Sequence, residues 1–134
     1  PWTWRQWKEW LDRPGTETWV AWLRGTPAGY VELCAHDGRG DVEISYFGLL
    51  PYAIGRGLGG YLLTVGVSRA WDLAERWPGL APTTRVWVHT CSLDGPAALP
   101  NYQARGFRVY DTKVEPAQVD GDTPGPWPGA GPRG

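Results

Sequence analysis

The glycine-rich run Gly55–Gly60 (GRGLGG) constrains the fold of this chain more than any other stretch of its sequence. It follows residues 42–50, which read as a strand, and it precedes an apolar pattern of helical period. Glycine lets the backbone come close to a ligand, and the first turn of a helix presents free N–H groups. A strand, a glycine loop and a helix in this order therefore predict a phosphate-binding turn.

Two other nucleotide-binding motifs resemble this run, but the residues around it fit neither. A dinucleotide site requires an acidic residue at the end of the next strand, and the predicted strand at residues 85–90 has none. A nucleoside triphosphate loop requires Lys followed by Ser or Thr, whereas Tyr61 and Leu62 follow Gly60. Both motifs are therefore disfavoured. The alternative that stays open is a loop whose glycines serve only a tight turn.

The rest of the sequence predicts an α+β fold, with a central mixed, mostly antiparallel sheet and helices on both faces. Helices are predicted at residues 3–12, 57–76 and 97–105, and strands at 18–23, 28–35, 42–50, 85–90 and 107–114. The turn at 24–27 predicts a hairpin, and the strand–helix–strand segment 42–90 requires a parallel crossover. The indoles of Trp4, Trp7 and Trp10 recur at helical spacing, so we expect them to pack inward.

Length and charge limit the organisation and the partners of the chain. The 134 residues predict a single domain at 1–115 and a Pro/Gly-rich disordered tail at 116–134. The net charge of -1 and the lack of a basic run argue against nucleic acid and an anionic membrane surface, and no apolar run could span a bilayer. Two cysteines and no secretory leader favour the cytoplasm. A homodimer stays open.

The glycine run resembles the acyl-CoA motif of the GNAT superfamily of N-acetyltransferases. That motif is written Gln/Arg-x-x-Gly-x-Gly/Ala, which puts Gly57 and Gly59 at its two small positions. Ile54 stands where the family has Gln or Arg, and this departure removes a side chain that supports the loop.

A second motif, Ala98-x-x-x-Tyr102-x-x-x-Gly106-Phe107, is similar to the family's late helix, although the Asn that commonly opens that helix is missing. The resemblance covers about residues 17–114. It implies a GNAT-like fold. Family members begin with a strand and a helix, and little precedes Trp4, so we expect the first strand to be absent from this chain.

The resemblance implies that the protein moves an acetyl group from acetyl-CoA to a primary amine on a small molecule or a protein, without a metal. It also implies which residues hold the acyl donor. Backbone N–H groups of the strand end would bind the acyl oxygen and the pantetheine arm, and the glycine loop would bind the pyrophosphate; the residues are Phe47, Gly48, Leu49, Gly55, Arg56, Gly57, Leu58, Gly59 and Gly60.

Glu43 and Tyr102 are the candidate catalytic residues. Glu43 lies fourteen residues before Gly57, a spacing that resembles that of a general-base glutamate in the family, and the two-residue period would put Glu43, Ser45 and Phe47 on one face. A solvent-facing strand Glu is the alternative. Tyr102 resembles the family's general acid, with a buried Tyr packed under Phe107 as the alternative.

Other reactive residues support weaker hypotheses. His89 is better explained as a structural residue than as a proton relay, and Cys91 lacks an orienting partner for ping-pong chemistry. Zinc held by Cys34, His36, His89 and Cys91 is disfavoured, because a strand separates the two pairs. A catalytically silent acyl-CoA-binding or interaction module is the alternative to an enzyme, and the acceptor cannot be read from the sequence.

Overall fold

The computed structural model describes residues 2–116, and these residues build a four-stranded sheet in the order β1-β2-β3-β4. The β1–β2 and β2–β3 pairs are antiparallel, whereas β3–β4 is parallel, so the predicted mixed, mostly antiparallel sheet is confirmed. In chain order the elements are α1 (Trp4–Leu11), β1 (Thr16–Leu23), β2 (Thr26–His36), β3 (Asp41–Leu49), a short 3-10 turn (Pro51–Ala53), α2 (Leu58–Trp71), α3 (Leu73–Arg76), β4 (Arg85–Val88) and α4 (Ala98–Ala104).

Local chemistry explains where several elements begin and end. Thr3 opens α1 with a capping box, since its side chain accepts from the Gln6 backbone N–H and the Gln6 side chain accepts from Thr3 N. Arg24 and Gly25 join β1 to β2 with positive φ angles of 51° and 79°, as a two-residue hairpin turn requires. The single helix predicted at 57–76 is two helices, because the backbone leaves helical geometry at Asp72.

The sheet has two unlike faces. The α2 face carries alternate residues such as Val31, Leu33 and Ile44, which pack against α2 and are 0–2% exposed. The α1 face carries the residues between them, including Glu32, which accepts a hydrogen bond from Trp10 of α1, and Cys34, which contacts Arg13 just after α1. Helices therefore cover both faces, as predicted.

The strand predicted at residues 107–114 is wrong. This segment has no regular structure, and no strand pairs with it among residues 2–116. Only Phe107 packs on the core, while Val109, Tyr110 and Val114 are 60–97% exposed. An apolar alternation makes a strand only where a neighbouring strand takes up its hydrogen bonds, and the described sheet offers none here.

The inward packing expected of the first helix is also wrong for most of its indoles. No residue of α1 is fully buried, and Trp4 is 77% exposed. Trp7 packs against Trp2 rather than the core, with ring centroids 4.8 Å apart. Trp10 alone reaches the sheet, through a hydrogen bond to Glu32. The helical spacing predicts that these residues share one face of the helix, but it does not predict whether that face packs against the core.

The predicted tail lies, from residue 117 onward, outside the described residues. Within residues 2–116, none of the helices has the length and apolarity that crossing a membrane would require.

Candidate active site

The central feature of the site is the point where β3 and β4 part. Their parallel pairing ends at Ile44 and Val88, where β4 stops. β3 continues for another five residues to Leu49 while still paired with β2 on its other edge. Any backbone N–H of residues 45–49 that points away from β2 therefore lacks a strand partner within the described part of the chain. Such groups are available to a ligand carbonyl.

A β-bulge at Ser45 changes which side chains face this opening. Ile44 pairs with Leu33 and Tyr46 pairs with Glu32, so Ser45 is an extra residue in β3. The bulge moves Phe47 onto the α2 face, where it packs on the core, while Glu43 and Ser45 stay on the α1 face. The prediction that Glu43, Ser45 and Phe47 share one face is therefore wrong, since an inserted residue reverses the alternation after it.

The glycine loop connects β3 to α2 through backbone conformations that favour glycine. Gly55 and Gly57 have φ angles of +80° and +77°, which side chains rarely adopt. Gly57 is the N-cap of α2, and no side chain caps the helix start. The first N–H groups of a 14-residue helix are therefore left for another acceptor. This arrangement is compatible with the predicted phosphate-binding turn, which stays a prediction.

The loop is held in place from both ends. Leu50 N donates to Ala28 O at 2.8 Å, and the Tyr52 hydroxyl donates to Pro27 O at 2.7 Å. On the helix side, Arg105 Nε donates to Gly60 O at 3.2 Å, which brings a guanidinium from α4's end to the first turn of α2. Arg56 adds a second exposed cation in the loop. Ile54, in the position of the family's polar residue, is 63% exposed.

Tyr102 lies on the α2 face, beside the part of β3 that has left β4. It is 6% exposed and packs edge-on against Phe47 and Phe107, with ring centroids 6.2 Å and 6.0 Å away. Burial raises the pKa of the Tyr102 hydroxyl, and the charge of Asp94 raises it further. The hydroxyl is therefore a proton donor and not a phenolate at neutral pH.

Glu43 lies on the α1 face, one residue before the last β3–β4 pair. Its side chain is 18% exposed, and its Oε2 is 2.7 Å from Nε2 of His36 on β2. The β2–β3 register explains this contact, because Glu43 pairs with Cys34 and His36 lies two residues further along the same face. Glu43 is thus neither a free surface carboxylate nor a member of the apolar core. Glu43 and Tyr102 therefore lie on opposite faces of the sheet, Glu43 within the last paired residues of β3 and β4 and Tyr102 against Phe47 in the part of β3 that β4 no longer pairs with.

Glu32 is a buried carboxylate that the sequence interpretation missed. It is 4% exposed, and its Oε1 accepts from the Trp10 indole at 2.7 Å and from the Ser45 hydroxyl at 3.1 Å. A Glu in the middle of the apolar run Ala28–Ala35 was the available signal, because a strand carboxylate between buried residues needs hydrogen-bonding partners. Here it anchors α1 and the bulge to β2.

The remaining reactive residues do not assemble into a second centre. His89 is exposed beyond the end of β4, and Cys91 is an exposed thiol whose backbone N–H donates to Asp94. Burial raises the pKa of Cys34, although Arg13 acts in the opposite direction. Among residues 2–116, no three His, Cys, Asp or Glu side chains come close enough together to hold a metal ion.

The fold and the glycine loop define the class of this protein, and comparison with known families agrees. The family model described as "Acetyltransferase (GNAT) family" matches residues 1–107. The chain therefore belongs to the GNAT acetyltransferase family, as its two motifs predicted.

Individual relatives are similar over limited stretches. Mycothiol acetyltransferase of Mycobacterium leprae is 37% identical over an alignment that covers 64% of this chain and 26% of the relative. The chain thus corresponds to about a quarter of that protein.

Among solved structures, three with TM-scores of 0.61–0.64 show the shared fold. An aminoglycoside N-acetyltransferase in complex with CoA is 14% identical (TM-score 0.61; 87% of this chain and 85% of that one). An aminoglycoside acetyltransferase from an uncultured soil metagenomic sample is also 14% identical (TM-score 0.61; 86% and 72%). A transcriptional regulator from Bacillus halodurans C-125 is 21% identical (TM-score 0.64; 85% and 73%).

Proposed function

We propose that this protein transfers an acetyl group from acetyl-CoA to a primary amine by direct attack, in one step without an acyl-enzyme. The observation that supports this most is the opening between β3 and β4. Beyond this point β3 continues toward the glycine loop, and the nearby candidates are a part-buried carboxylate, Glu43, on the α1 face and a protonated hydroxyl, Tyr102, on the α2 face.

The glycine loop fits the acyl donor. Its positive φ angles and uncapped helix start suit a pyrophosphate, and Arg56 and Arg105 add positive charge beside it. We infer that Gly55–Gly60 hold the pyrophosphate and that the backbone of Phe47–Leu49 holds the acyl oxygen and pantetheine arm. When bound, acetyl-CoA supplies the activated thioester that the amine attacks.

Two side chains of this protein accept and donate the protons of the reaction. An ammonium ion is not a nucleophile, so Glu43 removes one proton from the incoming amine. Tyr102 Oη, whose pKa burial raises so that it is protonated at neutral pH, donates a proton to the departing thiolate sulfur. The nitrogen releases its second proton as the amide forms, and a proton returned through solvent restores the Tyr102 hydroxyl. Unpaired N–H groups of β3 stabilise the negative charge that develops on the acyl oxygen.

The first test is activity with a panel of amines that includes aminoglycosides, followed by mass spectrometry of the acetylated products. Glu43→Gln keeps the shape of the side chain but cannot take a proton, so kcat should fall about 100- to 1000-fold. Glu9→Gln is the matched control, since Glu9 is an exposed carboxylate on α1 bonded only to Arg5, and its activity should equal that of wild type. Full activity of Glu43→Gln would rule out the base role.

A catalytically silent acyl-CoA-binding module is the second candidate. The burial of Tyr102 between Phe47 and Phe107 favours it, because that packing limits how far the hydroxyl can reach into the opening. This candidate predicts that calorimetry detects acetyl-CoA binding while no amine of the panel is acetylated. Product formation with any amine would exclude it.

A further inference from the structure

His36 contacts a candidate catalytic group, Glu43, but has no role in the proposed function. Its Nε2 lies 2.7 Å from Glu43 Oε2, a short hydrogen-bond distance. The imidazole also packs beside an aromatic ring, since the ring centroids of His36 and Trp87 are 5.5 Å apart at an interplanar angle of 32°. Trp87 in turn pairs in register with Glu43 and donates its indole N–H to Asp41.

We propose that His36 is a positioning residue that orients Glu43 as the general base. The inference rests on the proposed function. In this role the Nε2–H of His36 donates to Oε2 of Glu43, which fixes the carboxylate plane and leaves Oε1 to accept the proton of the acceptor amine. Carboxylates that act as bases are held by such partners because a small misplacement of the accepting oxygen reduces the rate strongly.

The surroundings of the pair support orientation over a simple charge pair. His36 is 42% exposed on its side chain, whereas Glu43 is 18% exposed, so the imidazole forms the outer layer and the carboxylate the inner one. The other charged groups near the pair are already engaged. Asp41, which faces His36 across the hairpin, accepts from Trp87 and is 3.4 Å from Arg85. On the side of α1, Arg13 donates to Cys34 Sγ.

Two substitutions at position 36 separate orientation from packing. His36→Phe keeps a planar ring beside Trp87 but removes the donor, and His36→Gln keeps a donor nitrogen at the reach of Nε2 but removes the ring. If His36 orients Glu43, kcat should fall about 10- to 100-fold in His36→Phe while the KM for acetyl-CoA stays within about 2-fold, and His36→Gln should recover most of the rate. A packing role would give the opposite order, with the phenylalanine variant the better one.

A double-mutant cycle with Glu43→Gln tests whether His36 acts through Glu43. The loss caused by His36→Phe should shrink to less than about 2-fold in the Glu43→Gln background, because an orienting residue has no effect once the base is gone. Thermal melts of every variant allow rates to be expressed per folded molecule.

The outcomes separate the two proposals. If wild type acetylates amines and Glu43→Gln is impaired, but His36→Phe is as active as wild type or equally harmful in both backgrounds, the positioning role is overturned and the base role stands. If wild type acetylates nothing, or Glu43→Gln has full activity, the proposed function itself fails and His36 loses its role with it.

Discussion

The two faces of the sheet are built from the same strands and have different chemistry. On the α2 face, β2 and β3 contribute side chains such as Val31, Leu33 and Val42, which pack on the apolar face of α2. On the α1 face, the alternate residues of the same strands include Glu32 and Glu43, each held by polar partners. The α2 face stabilises the fold by burying apolar area, whereas the α1 face buries carboxylates that need hydrogen-bonding partners.

This difference shows how one short strand can contribute both to core packing and to the candidate site. On a regular strand residues four apart share a face, yet the base candidate Glu43 and Phe47, the packing partner of the acid candidate, lie on opposite faces of β3. The bulge at Ser45 makes this arrangement possible, because without it Phe47 would face the α1 side. The division of labour between faces can be tested by substitutions on each of them.

The largest effect is expected at Tyr102, whose ring packs on the apolar face and whose hydroxyl is the proposed general acid. Tyr102→Ala removes a ring packed between Phe47 and Phe107 and should lower the free energy of unfolding by about 3–5 kcal/mol. Tyr102→Phe keeps the ring and should change that free energy by about 1 kcal/mol or less. Chemical denaturation of both variants measures the difference.

The same pair of variants tests the acid role. Tyr102→Phe should fold like wild type and lose about 100-fold in kcat if its hydroxyl protonates the leaving group. Turnover that is unchanged in Tyr102→Phe would leave Tyr102 with its packing role alone, and the α2 face would then be purely structural at this position.

Local patterns in the sequence predicted the four strands and the late helix well. Two strand-like runs on either side of Arg24-Gly25 specify a hairpin, and the glycine loop marks the change from strand to helix. These signals lie within a few residues of the structure they determine. The strand predicted at 107–114 failed for the opposite reason, since a strand depends on a neighbour elsewhere in the chain.

The residues of the candidate site come from resemblance to the family's motifs and spacing, and their roles stay predictions. The faces of the sheet on which they lie could not be predicted, because the bulge at Ser45 depends on how β3 pairs with β2 and leaves no mark in the sequence of β3. The contact of His36 with Glu43 could have been inferred from a tight turn at residues 37–40, because that turn sets the hairpin register and brings the two residues to one face.

A smaller effect is expected where α2 meets the sheet most closely. A Cβ added at Gly66 would lie 2.8 Å from Val31 Cγ2, so Gly66→Ala should cost about 1–3 kcal/mol of unfolding free energy through overpacking. Gly59→Ala is the matched control in the same helix, since its added Cβ would lie 3.5 Å from Leu49 in ordinary contact. Without ligand it should be neutral or more stable by up to about 1 kcal/mol. Equal melting temperatures for the two variants would contradict this account of the α2 face.

The smallest effect concerns Glu17, the carboxylate that β1 presents on the α2 side. Burial by itself would raise the pKa of Glu17, but hydrogen bonds from Arg76, Trp19 and Trp77 outweigh it and hold that pKa below its ordinary value. A carboxyl with a lowered pKa stabilises the fold above the pKa of the unfolded chain, near 4.5, and this contribution is lost as the pH falls through the folded value.

Glu17→Gln should therefore melt below wild type at pH 7, and this difference in melting temperature should narrow at pH 3. Glu9→Gln, which removes an exposed carboxylate that pairs with Arg5 at the surface of α1, should melt close to wild type. A gap for Glu17→Gln that is the same at both pH values would mean that the amide loses packing rather than charge, and that the ion pair with Arg76 contributes little to holding α3 against the sheet.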